Sequence, residues 1–209
     1  MDKEKTAAEH KNPATHKNPA SHKKPATRKN ASRTRSLAFI ALSVAIMAVS
    51  AWITVPIGTV PFTLQIFALI FALLVLEPRE CLAAVACYLA LGAVGVPVFS
   101  SMRGGIGVLA GPTGGFLWGY LIGACAALFL LMAMRKSALP PKLSFVCDAL
   151  AGMLFIIVTY LCGWAQYMVV MGVSAKLAFV SAIAPFVLID FAKLIAAVAC
   201  ARAVRVVVK

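Results

Sequence analysis

Charged residues and histidine are scarce in most of this sequence, and their scarcity restricts what the chain can do. Only 13% of its 209 residues are charged, whereas 62% are hydrophobic. Soluble domains are about one quarter charged, so this balance indicates a membrane protein. The three histidines, His10, His16 and His22, all lie near the N-terminus. The rest of the chain therefore lacks the most common general base and the most common metal ligand.

Motifs for catalysis and nucleotide binding are also absent from the sequence. It contains no G-x-x-x-x-G-K-[ST] loop for ATP, no G-x-S-x-G and no H-E-x-x-H. The six cysteines never occur at C-x-x-C spacing, so neither a redox pair nor a metal site is indicated. An intramembrane enzyme would need a nucleophile or a metal beside a base, and the sequence offers no such set. We therefore predict a protein that is not an enzyme and uses no metal or cofactor.

Positive charge is concentrated in an N-terminal tail. Residues 1–35 hold ten of the 20 Lys and Arg residues, and the hexapeptide HKNPAT recurs as HKNPAS and HKKPAT. Because proline returns every sixth residue and no apolar face is present, we predict a disordered basic tail over 1–35. This tail either tethers the chain to anionic lipid or only orients the first span. Residues 36–209 are predicted to form a transmembrane domain, with a first span that is retained rather than cleaved as a signal peptide.

Six apolar segments are long enough to be considered as membrane spans. They are residues 36–55, 62–77, 80–96, 113–134, 144–171 and 177–206. Basic residues cluster in the tail, after the second and fourth segments and at the C-terminus, and only Arg103 and Lys176 lie on the other side. Because cytoplasmic loops are rich in Lys and Arg, we predict a multi-pass, all-α protein of the cytoplasmic membrane with six transmembrane helices and both termini in the cytoplasm. The Gly-rich segment 97–115 is expected to form a structured outer loop between helices 3 and 4.

Two charges interrupt the last apolar segment, VLIDFAKLIAAVA at residues 187–199. A charge at the centre of a span costs about 2.5–3.5 kcal/mol on insertion scales, so Asp190 and Lys193 need a reason to be there. Their i,i+3 spacing places them on one face of a helix. In one continuous helix, Asp190 would lie about 20 Å below Lys176. We interpret the pair as a ligand-binding element; the alternative is a self-neutralising pair that packs this helix against a neighbour in a structural or assembly protein.

The motif GPTGG, residues 111–115, lies where the outer loop meets the fourth segment. Thr113 can cap the start of a helix, and Gly114 and Gly115 allow a ligand to approach bare backbone N–H groups. An ordinary helix start would have the same sequence. Together with Arg103 in the same loop, the motif suggests a lid and a set of donors over a pocket.

Alanines form a regular strip along the first segment. Ala38, Ala41, Ala45 and Ala48 are spaced three or four residues apart. Small residues at this spacing allow another helix to approach closely. The strip serves either internal packing or a partner protein.

Several segments of the sequence together resemble a known family, the BioY family. They occur in the order VPFTLQIFALIFALLVLEPRE, CYLALGAVGVPVF, GVLAGPTGGFLWGYLIGA, YLCGWAQ and PFVLIDFAKLIAA. Members of this family are the biotin-specific S components of energy-coupling factor (ECF) transporters. The resemblance covers about residues 36–200, and GPTGG followed by D-x-x-K is its most specific part. The acidic EPRE departs from the Gly-Pro-Arg turn that is more frequent in the family, but it lies in a turn away from the pocket.

The resemblance implies a substrate-binding subunit for biotin uptake. Such a subunit captures biotin on the outer face and delivers it inward, energised by a transmembrane coupling protein and a pair of ATPases. The resemblance implies that Asp190 and Lys193 contact biotin, and that Ala41 and Ala45 belong to the surface that docks on the coupling protein. An S component for another vitamin and a stand-alone biotin transporter are the alternatives.

A second set of side chains could complete the biotin site. These candidates are Arg103, Tyr88, Phe99, Gln65 and Gln166. The aromatic ones are equally compatible with a place in the core or at the membrane interface. Besides biotin and the coupling proteins, we expect membrane lipid as a partner and no nucleic acid.

Overall fold

The computed structural model describes residues 25–55, 60–134 and 140–207, and it is almost entirely helical. Two short strands pair in antiparallel register, Thr54 with Thr63 and Val55 with Phe62. A 3-10 turn covers Ser100–Met102. The elements are α1 (Pro25–Trp52), β1 (Thr54–Val55), β2 (Phe62–Thr63), α2 (Gln65–Val75), α3 (Pro78–Ala93), α4 (Ile106–Ala110), α5 (Gly114–Met134), α6 (Pro141–Met171), α7 (Ala175–Ala182) and α8 (Ala184–Val207).

Among the described residues, four helices are long and apolar enough to cross a membrane. They lie in 33–52, 114–134, 143–171 and 184–206. This confirms the prediction of an all-helical membrane protein. The predicted spans 62–77 and 80–96 correspond to shorter helices, α2 with 11 residues and α3 with 16. At 1.5 Å per residue, α2 is only about 17 Å long.

The shortness of α2 has a local cause at each end. Before it, Phe62 and Thr63 are drawn into the strand pair, and the N–H of Leu64 donates to the carbonyl of Ser50 at 3.1 Å. After it, Leu76 is extended and Pro78 opens α3, because proline is tolerated in the first turn of a helix but not inside one. Glu77 and Glu80 form a capping box at this start.

Helix α1 begins earlier than predicted, at Pro25 instead of near residue 36. The prediction of disorder was therefore wrong for 25–35, whereas residues 1–24 lie outside the described part of the chain. Proline recurs in the tail only as far as Pro25, and a proline at the first helical position leaves no hydrogen bond unmade. The following residues, up to Trp52, contain no further helix breaker.

The predicted last span, 177–206, is divided into α7 and α8. Ile183 leaves the helical conformation (φ −126°, ψ −55°). Pro185 follows it, lacks an N–H group and cannot continue the hydrogen-bond ladder of α7. Asp190 therefore lies in the second turn of a new helix, instead of deep along one continuous helix as expected.

Helices α5 and α6 approach each other closely along a line of glycines. A Cβ atom at Gly115 would lie 2.3 Å from the carbonyl oxygen of Cys162, and one at Gly119 would lie 2.8 Å from Cα of Thr159. Gly123 continues the line four residues later, against Phe155. Small residues at intervals of four are typical of close helix packing in membranes. This packing fixes the position of the α5 N-terminus relative to α6.

Candidate functional site

A cavity opens at the end of the bundle where the strand pair, the α3–α4 loop, the start of α5 and the α7–α8 break meet. The space between its lining residues is about 630 Å³, including the part open to the outside. The lining is aromatic, aliphatic and hydroxyl-bearing, and it contains one anion and one cation, Asp190 and Lys193.

Asp190 and Lys193 form an ion pair at the wall of this cavity. The Nζ atom of Lys193 lies 2.7 Å from Oδ1 of Asp190, as the i,i+3 spacing predicts. Both residues are buried, with 4% of Asp190 and 7% of Lys193 exposed. A buried ion pair of this kind contributes little net stability compared with apolar residues of similar size. Its presence in the cavity wall therefore favours a role in ligand binding.

Other elements complete the coordination of the pair. The Lys193 ammonium also donates to the carbonyl oxygen of Thr63 at 2.6 Å and lies 3.9 Å from the centroid of the Phe62 ring. The hydroxyl of Tyr160, in α6, donates to Oδ2 of Asp190 at 2.6 Å. Both carboxylate oxygens are thus engaged, and the pair is held by α6 and by strand β2. The charges are fixed in place before a ligand arrives, which reduces the cost of ordering them on binding.

A second polar group is built around Gln65 at the start of α2. Its amide nitrogen donates to the hydroxyl of Tyr88 at 2.5 Å, and its amide oxygen accepts from the hydroxyl of Tyr120 at 3.5 Å. Tyr88 in turn donates to the carbonyl of Val98 at 2.9 Å. Gln65 and Tyr120 line the cavity, whereas Tyr88 supports them from behind. The network holds the Gln65 amide in one orientation and connects it to the α3–α4 loop through Val98.

Aromatic rings form a further part of the wall. Phe99 packs edge-on against Tyr88, with 5.5 Å between ring centroids, and its ring occupies the space above Gly92, where a Cβ atom would lie 1.9 Å away. Phe116 packs edge-on against Tyr160 at 6.4 Å. Rings held by such contacts provide a rigid apolar surface. The cavity therefore suits a ligand with an apolar body and a few polar groups.

The loop from Pro97 to Gly105 positions Phe99 and Ser100 in the cavity wall. Its turn contains two consecutive non-glycine residues in the left-handed region, Ser101 (φ 58°) and Met102 (φ 55°), which is an unfavourable conformation for L-residues. The hydrogen bonds that hold the loop include Phe99 N–H to the Arg103 carbonyl at 2.9 Å, the Tyr88 hydroxyl to the Val98 carbonyl, and the Trp52 indole N–H to the Pro97 carbonyl at 2.8 Å. The loop is thus attached to both α1 and α3.

Within GPTGG, only Thr113 lines the cavity among the described residues. A Cβ atom at Gly114 would lie 1.8 Å from the carbonyl oxygen of Leu109, and Gly115 packs on α6. The Gln166 amide nitrogen donates to the carbonyls of Leu109 and Gly111, both at 2.8 Å. These glycines and Gln166 therefore join the α4–α5 turn to α6, which places Thr113 at the cavity.

The sequence model of one protein family, described as the BioY family, matches residues 21–209 of this chain. The chain belongs to the BioY family. The match confirms the resemblance drawn from the sequence motifs, and it begins about 15 residues earlier than that resemblance did.

Curated relatives carry the names of biotin transporters. The chain is 36% identical over 160 residues to "Biotin transporter BioY2" of Lactococcus lactis, covering 77% of this chain and 84% of that protein. It is 35% identical over 170 residues to "Probable biotin transporter BioY" of Pyrococcus horikoshii, covering 81% and 96%. A shorter match, 47% identical over 90 residues, is to "Biotin transporter BioY" of Thermotoga maritima and spans only 53% of that protein. The family is one of transporters and not of enzymes, as predicted.

A solved structure shares the fold of this BioY-family chain. It is the crystal structure of the S-component for biotin from an ECF-type ABC transporter, with a TM-score of 0.77 and 23% sequence identity. The match covers 84% of this chain and 93% of the other. At this level of identity the comparison establishes the fold alone.

The structure brings half of the predicted substrate-binding residues to the cavity wall. These are Asp190, Lys193, Thr113, Phe99 and Gln65. Among the described residues, the lining does not include four residues that support it: Tyr88, Gly114, Gly115 and Gln166. Arg103 is exposed, and its Nε donates to the Ser100 carbonyl at 3.3 Å.

Sequence reasoning missed several lining residues. They are Phe62, Thr63, Ser100, Phe116, Tyr120, Tyr160 and Phe186. Two of them are close in sequence to predicted residues, which was a signal for them: Thr63 is two positions from Gln65, and Ser100 follows Phe99. Tyr160 carries no such signal, because its partner Asp190 is 30 residues further along the chain.

The alanine strip of α1 is only partly on the surface. Ala38, Ala41 and Ala45 are exposed on the side of α1 that faces away from the bundle. Ala48 is 7% exposed and belongs to the main apolar core. The prediction that Ala48 continues the strip is therefore corrected, because α1 turns this residue toward the bundle. The exposed strip ends at Ala45.

Proposed function

We propose that this chain is a biotin-binding membrane subunit that takes up biotin from the outer side of the cell membrane and delivers it inward. Its membership of the BioY family and the names of its relatives support biotin as the substrate. The observation that carries the proposal is the buried ion pair between Asp190 and Lys193 in the wall of a mostly apolar cavity.

The chemistry of biotin matches this cavity. Biotin has a ureido ring with two N–H donors and one carbonyl, an apolar thioether ring and a carboxylate. Asp190 is an acceptor for the N–H donors, and Lys193 is a donor for an oxygen. Thr113 and Gln65 supply further hydrogen bonds, and Phe99 contacts the apolar body. Two polar ends and an apolar middle require such a mixture of fixed polar groups and rings.

The remaining predicted residues act indirectly in this proposal. Tyr88 orients Gln65, while Gln166, Gly114 and Gly115 hold the turn that presents Thr113. Arg103 stabilises the outer loop through Ser100 and lies near the cavity mouth, where it attracts an anionic ligand.

We place the cavity on the outer side, in a protein of six crossings with both termini in the cytoplasm. Lys and Arg are concentrated in the tail, in the α2–α3 and α5–α6 connections and at the C-terminus, which favours a cytoplasmic position for that end. Helices α2 and α3 then serve as the second and third crossings, with the strand pair extending α2 toward the outer surface.

The energy for transport comes from other proteins in this proposal. The sequence contains no ATP-binding loop, and the matching fold is that of an S-component from an ECF-type transporter. We propose that the exposed strip of Ala38, Ala41 and Ala45 docks on a transmembrane coupling protein, which is driven by a pair of cytoplasmic ATPases. Biotin uptake measured with and without these components in one host tests this part: uptake that is equal in both hosts overturns it.

Equilibrium binding of radiolabelled biotin to the purified full chain tests the substrate. We expect saturable, tight binding that excess thiamine or riboflavin does not displace. The double variant Asp190→Asn/Lys193→Met removes both charges together and should abolish binding while the protein still folds. If wild-type protein binds thiamine or riboflavin in preference to biotin, the substrate assignment is wrong; if the folded double variant binds biotin normally, the site assignment is wrong.

A further inference from the structure

A groove lies at the end of the bundle opposite the cavity, between α1, the α2–α3 turn, the start of α6 and the end of α8. The space within it is about 2,050 Å³, including the part open to the outside. The groove is formed by helix ends, so it lies where the hydrocarbon region of a membrane meets the headgroups. Its lining combines arginines with apolar side chains.

The charged lining of the groove is mostly basic. It consists of four arginines and two glutamates: Arg33, Arg35, Arg202, Arg205, Glu77 and Glu80. The balance favours an anionic occupant. A guanidinium group matches a phosphate through paired N–H donors, which a simple point charge does not.

The acidic groups of this region already have partners within the protein. Oε1 of Glu80 accepts from the Ser36 hydroxyl at 2.5 Å, and Oε2 accepts from the Glu77 N–H at 3.4 Å. Arg205 pairs with the buried Asp148 at 2.8 Å and also donates to the Leu74 carbonyl. The glutamates thus serve the α3 capping box, and Arg205 serves the fold. The excess positive charge comes mainly from Arg33 and Arg35 in α1.

Two of the arginines lie over aromatic rings. The guanidinium carbon of Arg35 is 5.3 Å from the centroid of Phe39, and that of Arg202 is 5.6 Å from the centroid of Phe145. A cation–π attraction acts between each guanidinium group and the face of its ring. It restricts the arginine side chains in advance, so that less entropy is lost when an anion binds.

An apolar surface adjoins the arginines in the same groove. It is formed by Phe39, Val75, Leu76, Val204 and Val206. A free inorganic anion would contact only the arginines of the groove, whereas the acyl chain of a bound lipid would also cover its apolar side chains. Basic pockets between helix ends on the cytoplasmic side are typical sites for anionic lipid headgroups.

We propose that this groove binds an anionic phospholipid, with the headgroup phosphate on Arg33 and Arg35 and one acyl chain along Phe39 and Val204. The site is separate from the biotin cavity, and its occupant does not depend on the substrate. Bound lipid joins α1 to α8 at the end where these helices leave the membrane.

Native mass spectrometry of the purified full chain in detergent tests the proposal. The probe is an equimolar mixture of phosphatidylglycerol and phosphatidylcholine with identical acyl chains. We expect the wild-type protein to retain phosphatidylglycerol preferentially, by about 5-fold for each arginine that contacts the headgroup. The double variant Arg33→Gln/Arg35→Gln should lose most of this preference. The matched control is Lys176→Gln, which removes an exposed cation at the opposite end of the bundle.

Several results would overturn the proposal. Equal retention of the two lipids by wild-type protein removes the anionic preference, and an equal loss in Lys176→Gln shows that overall charge accounts for it. If millimolar inorganic phosphate displaces phosphatidylglycerol completely, the arginines alone form an anion site and the acyl chain is not bound. Radiolabelled biotin binding, measured on the same preparations, confirms that the arginine variant is folded. Since this readout also tests the proposed function, circular dichroism is recorded as a second measure of folding.

Discussion

The Nζ atom of Lys193 lies 2.6 Å from the carbonyl oxygen of Thr63, which is 130 positions earlier in the chain and two residues before the start of α2. At the other end of α2, Arg205 donates to the carbonyl of Leu74. Each cation also pairs with a buried acid, Asp190 or Asp148. Helix α8 thus holds α2 at both ends through backbone carbonyls, and one of these two attachments belongs to the cavity wall.

Removing Lys193 alone should destabilise the protein more than removing both charges. Lys193→Met leaves Asp190 buried without its cation, which costs about 3–5 kcal/mol in comparable buried pairs. Asp190→Asn/Lys193→Met should recover most of the free energy of unfolding that the single variant loses. The free energy of unfolding is measured in micelles of increasing sodium dodecyl sulfate content. Both variants should lose biotin binding. Lys176→Met, which removes an exposed lysine, is the control and should resemble wild type. A double variant less stable than the single one would contradict this account.

Removing the Tyr160 hydroxyl should weaken biotin binding without unfolding the protein. Tyr160→Phe takes away the donor that lies 2.6 Å from Oδ2 of Asp190, so the carboxylate loses one of its two fixed partners. Hydrogen bonds to charged groups contribute about 1.5–3 kcal/mol, and losing that much free energy of binding would raise Kd by about 10- to 150-fold. Thr159→Val removes another hydroxyl of the same helix, one that donates to the Gly119 carbonyl at 3.3 Å and lies outside the cavity lining among the described residues; it should leave Kd unchanged. Equal Kd values for wild type and Tyr160→Phe would refute the role of the hydroxyl.

The glycine line between α5 and α6 predicts a position-specific effect of alanine. In Gly115→Ala the new Cβ atom would meet the Cys162 carbonyl at 2.3 Å, and the backbone must shift to relieve the contact. Such overpacking costs about 1–3 kcal/mol. Gly107→Ala in α4 is the control, because nothing lies within 4 Å of its Cβ position. Thermal unfolding midpoints should fall for Gly115→Ala only; an equal fall in both would point to a general intolerance of alanine.

The ion pair remote from the cavity should affect stability and not biotin affinity. Asp148→Asn removes the carboxylate that Arg205 contacts at 2.8 Å. The cost should be about 1–3 kcal/mol, since the Arg205 side chain is 28% exposed and retains part of its hydration. Biotin Kd, measured below the unfolding temperature, should match wild type. A clear loss of affinity would mean that the two ends of α8 are coupled.

The predictions that followed from local geometry agree best with the structure. The Asp190–Lys193 pair was predictable because the spacing of two residues in one helix fixes their separation. The break at Ile183 also had a local signal, Pro185, which the reading of one continuous span overlooked. Tyr160 had none, and Thr63 had only its nearness to Gln65. They reach the pair only through the packing of α6 and α2, which depends on contacts distributed over the whole bundle.

The exposed alanines of α1 lead to the last prediction, which concerns the proposed coupling protein. Ala45→Phe adds a large ring to a surface where another helix is expected to approach closely, and this should weaken docking by about 5- to 100-fold. Biotin binding to the isolated chain should stay unchanged, because Ala45 is exposed and faces away from the bundle. ATP-dependent uptake in a host with the coupling components should fall accordingly. Ile157→Phe, at a residue of α6 that is 47% exposed, places a similar ring on another outer face and should leave uptake intact. If both variants transport normally, the strip of Ala38, Ala41 and Ala45 is not the docking surface.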